Sequence, residues 1–176
     1  MLRPFTMPNP LLAHFAELLA YDRWANERAI ASIESVPQDR RTGKAYERLT
    51  ALVPHNLIAR RVWIRRMRSE PYEMPRAWFP PMTPPETRAM AREVDAEWDA
   101  FLPSVTDADL ERVVVYRTSD GVERRGVFRR LLTHVFNHGT YHRGQIARLV
   151  TEHAGTRADT DFHTYADELA RGHAPG

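Results

Sequence analysis

Between Val127 and Leu149 the apolar residues Phe128, Leu131, Val135, Ile146 and Leu149 return at helical spacing, and His138 and His142 lie inside the same stripe. Residues four apart share one face of a helix, so the two imidazoles project together. With about 100° per residue and His138 as zero, Leu131 and Leu149 fall near about +20°, His142 near about +40° and Val135 near about +60°. His134 falls near about −40°, on the edge of the stripe, and is the weaker ligand candidate. An inward imidazole without a partner costs about 1–3 kcal/mol. A lone core histidine meets that need through a neighbouring carbonyl or side chain, whereas a pair one turn apart can hold one metal ion. A catalytic zinc-type site then needs a third protein ligand from another part of the fold.

The 176 residues suit one domain with a core of its own. Hydrophobic residues at 43% and charged residues at 27% describe a globular chain. No apolar run approaches the ~18 residues that suggest a membrane span. The start, Met1 to Met7, has no apolar core of a secretory leader, so a cytoplasmic location is expected. There is no cysteine, which excludes disulfides, thiolate ligands and a cysteine nucleophile. Any thiol chemistry must therefore bring its sulfur on a substrate or cofactor. The formal charge is +2 and Lys44 is the sole lysine, so the basic character is arginine usage, not a strong field.

Asn9 and Pro10 read as the cap and first residue of a helix reaching about Glu34. A second helix is expected from about Lys44 to Arg68; Pro54 within it either kinks it or marks its true start. His55 follows that proline and shares a face with Leu52, Ala59 and Val62, so it points inward if the segment is helical. Six prolines between Ser69 and Pro85 predict a long extended crossover. Thr83 and Glu86 have the spacing of a capping box, opening a third helix that runs to Leu102 before Pro103. Val113 to Tyr116 followed by Ser119-Asp120-Gly121 suggests a small hairpin, and the last helix runs from near Val127 to before Gly155. The expected fold is all-α, a four-helix bundle over residues 9–155. Residues 1–8 form an N-terminal extension, and residues 156–176 a tail packed partly through Phe162 and Tyr165. Trp24 and Trp63 are expected to fill the core between the first two helices. Bundles build metal sites from inward side chains of neighbouring helices, which makes His55 the third ligand to join His138 and His142.

Three stretches, Tyr21 to Arg28, His55 to Trp63 and Leu131 to Gln145, together resemble the DinB-like (DinB/YfiT) family of metal-dependent proteins, over roughly residues 9–165. The resemblance implies a four-helix bundle whose second helix gives one histidine and whose fourth gives two to a divalent cation; zinc, nickel or another divalent ion is expected. By position these are again His55, His138 and His142. Where members commonly carry His-His, this chain has Tyr141-His142; Tyr141 lies near about −60° on the wheel, away from the stripe centre. The resemblance also implies a homodimer.

Three neutral histidines leave a coordination position open, as in catalytic zinc sites. Two reactions are then expected on a small-molecule substrate: hydrolysis by metal-activated water, or transfer of a low-molecular-weight thiol, the latter implied by resemblance. Tyr21, Asn26 and Asn137 are candidates to orient the ligating rings; Glu27 and Asp161 are the candidate acid–base residues. Two other readings compete with an enzyme. One is a dimeric scaffold stabilised by the metal. The other is a nucleic-acid-binding protein using Arg60, Arg61, Arg65, Arg66 and Arg68, against which stand the low net charge and the spread of these arginines round the helix.

Overall fold

The computed structural model of the chain describes residues 9–172. The expected N-terminal extension, residues 1–8, lies outside the described residues, as does the end of the tail, residues 173–176. The described chain is mostly helical, with one two-stranded sheet.

Helix α1, Pro10–Glu34, starts as its first residues demand: the Leu11 N–H donates to Asn9 Oδ1 at 2.9 Å, and Pro10 occupies a position whose N–H would have no helical acceptor. Helix α2, Gly43–Arg68, runs without interruption through Pro54. It ends at Ser69, which takes a left-handed conformation (φ 55°), a common way for a helix to stop. The crossover, residues 70–83, has no regular structure until the Thr83–Glu86 capping box opens helix α3, Pro84–Phe101.

A short helix α4, Asp107–Glu111, not foreseen from the sequence, precedes the expected hairpin of strands β1, Val113–Arg117, and β2, Glu123–Val127. The strands are antiparallel and pair Val113 with Val127 and Arg117 with Glu123. Gly121, at φ 83°, makes the turn between them in a conformation that disfavours other residues. The hairpin runs directly into helix α5, Phe128–Glu152, and the Phe128 N–H donates to the Arg112 carbonyl. The start of the histidine-bearing helix is thus fixed by the strand pair before it.

Helix α5 packs most extensively on α2 and α1, and α3 closes the other side of α1 and α2. Trp98, Phe15, Leu52, Leu132, Ile30 and Ile146 are fully buried among these four long helices. A buried large aliphatic or aromatic side chain gives about 1.5–3 kcal/mol relative to exposure. That is the force holding the helices at the spacing the site needs.

Two expectations need correction. Trp24 and Trp63 are buried, but not between α1 and α2. Trp24 packs with Tyr21 and Tyr165 and donates to Glu168, while Trp63 packs edge-on against Tyr116 and His134. The segment read as a tail contains helix α6, Phe162–Ala170, whose Tyr165 is buried against Tyr21 and Trp24.

Candidate metal centre

His55 on α2 and His138 and His142 on α5 each bring one ring nitrogen to a common point, all three nitrogens lying within 4.8 Å of one another. Among the described residues these three form the one cluster of potential metal-binding side chains. His55 and His142 are 7% and 6% exposed and His138 is half-buried, so the cluster sits at the edge of the core. The Nε2 atoms of His55 and His138 are 3.1 Å apart.

Two of the rings are held from behind. The His55 Nδ1–H donates to the Trp78 carbonyl at 2.8 Å; a carbonyl only accepts, so Nε2 of His55 carries the free lone pair. His142 Nδ1 lies 3.1 Å from Gln145 Oε1. Oxygen acceptors behind ligating imidazoles commonly fix tautomer and orientation in this way. Phe79 stacks on His55 with ring centres 3.8 Å apart and planes at 15°, and the Arg48 guanidinium lies 3.8 Å from the Phe79 ring centre. Two groups at that distance cannot share one face of the ring, so Phe79 is sandwiched between imidazole and guanidinium.

Electrostatics keep all three rings neutral. Burial pushes the His55 pKa down to about 4, against the Trp78 hydrogen bond, with His142 and Arg48 adding to the fall. Burial likewise lowers His138 to about 4, helped by His142, His55 and His134 and opposed by Asp22. His142 is also lowered, by burial first. Metal ligation requires the neutral ring, so at pH 7 the cluster is in the form a cation binds.

Behind the cluster lies a buried ionic network. The Arg143 Nη1 atom is 2.5 Å from Asp22 Oδ1, and Arg60 lies 3.4 Å from Asp22 and 2.9 Å from Asp95. Gly139 makes this possible, because a Cβ there would stand 2.7 Å from Asp22 Oδ1 and 3.0 Å from Arg143 Nη1. The network joins α1, α2, α3 and α5 directly beside His138.

The other residues singled out from sequence sit elsewhere. Tyr21 donates to the Thr160 carbonyl, Asn26 bonds Asp22 and Arg143, and Asn137 is exposed. None of these supplies the oxygen behind His55 or His142. Glu27 pairs with Arg88 on the surface at 2.8 Å, and Asp161 caps α6 by accepting from the His163 N–H. Both carboxylates are engaged in these contacts, away from the three rings. The partners that do hold the rings are Gln145, which the three-residue step from His142 could have signalled, and the Trp78 backbone oxygen, which has no sequence signature. His134 packs against Trp63, with its ring centre 5.7 Å from that of His138.

No helix among the described residues is long and apolar enough to cross a membrane. The family model described as the DinB family matches residues 7–172. Comparison with curated proteins and with solved structures finds no match to the chain.

Proposed function

We propose, from the premise that this chain belongs to the DinB family, that its four long helices form the family's bundle around one divalent cation, zinc or nickel. His55, His138 and His142 would hold that ion and serve a metal-dependent reaction on a small molecule. The convergence of three neutral imidazole nitrogens within 4.8 Å carries this reading. Such a donor set suits zinc or nickel better than calcium or magnesium, which prefer oxygen.

A bound cation here would supply Lewis acidity, polarising a carbonyl and favouring the deprotonated form of water or a thiol. The chain's own residues do the remainder. Trp78 and Gln145 keep the His55 and His142 rings aimed, Phe79 covers one face of His55, and Arg48 adds positive charge that favours an anionic partner.

Transfer of a small thiol to an electrophile fits this surrounding better than hydrolysis. The carboxylate whose charge reaches His138 is that of Asp22, and it is committed to Arg143 and Arg60. The cation would acidify both nucleophiles, but water starts far less acidic than a thiol, so hydrolysis leans more on a nearby general base. In the transfer, sulfur forms the new bond to carbon, the leaving group departs with its electron pair, and the thiol proton passes to solvent. The absence of cysteine from the chain means the thiol arrives from outside.

Assays with zinc- and nickel-loaded protein test this, pairing low-molecular-weight thiols with alkyl and epoxide electrophiles and including esters and amides without thiol. The expected result is turnover that requires both metal and thiol. Turnover of an ester without thiol would make hydrolysis the reaction. No turnover at all, with unfolding on metal removal, would leave a metal-stabilised scaffold.

A further inference from the structure

Each of two ring partners behind the cluster is accounted for, the Trp78 carbonyl for His55 and Gln145 for His142, but His138 Nδ1 has no hydrogen bond among the described residues. A second side chain of the same region also lacks partners. Asn56, the residue after ligand His55, is 2% exposed, and neither its Nδ2 nor its Oδ1 has a partner. Asn56 and His138 line the same small void, together with Arg60 and Gly139. The void has no room for a water molecule, so water does not satisfy the amide. A buried amide left without hydrogen bonds costs on the order of 1–3 kcal/mol, which is reason to ask what partner the position serves.

We propose that the Asn56 side-chain amide is the positioning partner of His138: it faces the ring nitrogen turned away from the cation and holds the imidazole in the ligating orientation. The inference rests on the metal-binding reading above. The tautomers show why an amide suits the position. His55 Nε2 carries a lone pair, and His138 Nε2 lies 3.1 Å from it, so without a cation the His138 proton sits on Nε2 and is donated to His55. Nδ1 of His138 is then bare and has no proton to place, and the Asn56 amide stays without a partner. Once the His138 Nε2 lone pair is given to a cation, the proton resides on Nδ1 and needs an acceptor, which Asn56 Oδ1 supplies after a flip of the amide. Asp22 is the other acceptor within electrostatic reach, but its oxygens are taken by Arg143, Asn26 and Arg60.

The test uses the full chain. Zinc affinity is measured by competition with a chromogenic chelator for wild type, Asn56→Leu and Asn56→Asp, beside long-range 1H–15N spectra of the histidine rings. Asn56→Leu is expected to bind zinc about 10–100-fold more weakly, the usual effect of losing such a partner. It should also lose the slowly exchanging His138 Nδ1 proton signal while the metal-free melting temperature holds or rises. Asn56→Asp keeps an acceptor and should retain that signal and near-wild-type affinity. In zinc-loaded wild type, which depends on no variant folding, the His138 Nδ1 proton should show a nuclear Overhauser contact to the Asn56 amide protons. Wild-type zinc binding without that contact, or equal affinity and an intact proton signal in Asn56→Leu, overturns the assignment of Asn56 alone. Failure of wild type to bind zinc overturns the metal reading beneath it.

Discussion

His134 and His138 are one helical turn apart, yet only His138 turns toward His55; His134 is held by the edge of Trp63, with ring centres 5.2 Å apart. Replacing His55, His138 or His142 by alanine is therefore expected to abolish bound metal in the purified protein, whereas His134→Ala keeps it. Elemental analysis of the four variants decides this, and equal loss in all four would mean the ligand set is misassigned. Gly139 has a different role at the same scale. A methyl group there meets the Asp22 carboxylate and the Arg143 guanidinium, both rigidly held, so Gly139→Ala should destabilise the protein by roughly 1–3 kcal/mol. The denaturant midpoint measures it, and an unchanged midpoint contradicts the close approach. The convergence of the three imidazoles was legible in the sequence because helical spacing sets side-chain direction. Asp22 and Arg143 were not, because a buried pair 121 residues apart leaves no local pattern.

At the scale of elements, Pro54 explains how the crossover meets the site. Its missing N–H leaves the Thr50 carbonyl without its helical donor, and the Met82 N–H fills the vacancy at 3.3 Å. Met82 lies three residues beyond Phe79, which covers His55, so a defect in α2 anchors the loop that walls the cluster. Pro54→Ala would return a donor to the Thr50 carbonyl. The expected outcome is faster hydrogen exchange at the Met82 amide and faster proteolysis within residues 70–83, with the helix itself intact. Unchanged exchange at Met82 would mean the anchor is unimportant. From sequence the proline left two options, a kink or a later start. The helix continues because a tertiary donor compensates, which local propensity does not encode. Helix α6 was missed for another reason. Phe162, Tyr165 and Leu169 do have helical spacing, and Asp161 is a cap, but nine residues make too short a window to outweigh the polar composition around them.

For the whole molecule, the histidines tie stability to pH and to metal. His55 and His138 titrate near about 4 when folded, against an ordinary 6.5. As pH falls below about 6.5 the unfolded chain therefore takes up protons first, and the metal-free protein loses stability from there down toward about pH 4. The melting temperature of metal-free protein should fall across that window, and a flat profile would contradict the burial of neutral rings. A cation that binds only the folded chain should raise the melting temperature at pH 7, with the gain shrinking on acidification as protons compete for the nitrogens. The mostly helical architecture and the hairpin were legible because long amphipathic stripes and turn residues are local signals. How the helices dock, through Asp22, Arg60, Asp95 and Arg143, was not.

X-ray absorption at the zinc edge of zinc-loaded protein measures the central claim most directly. One ion per chain with three imidazole nitrogens at about 2.0–2.1 Å and an open or solvent-filled position is the predicted result. A first shell made mainly of oxygens, or one with fewer than three imidazoles, would contradict it.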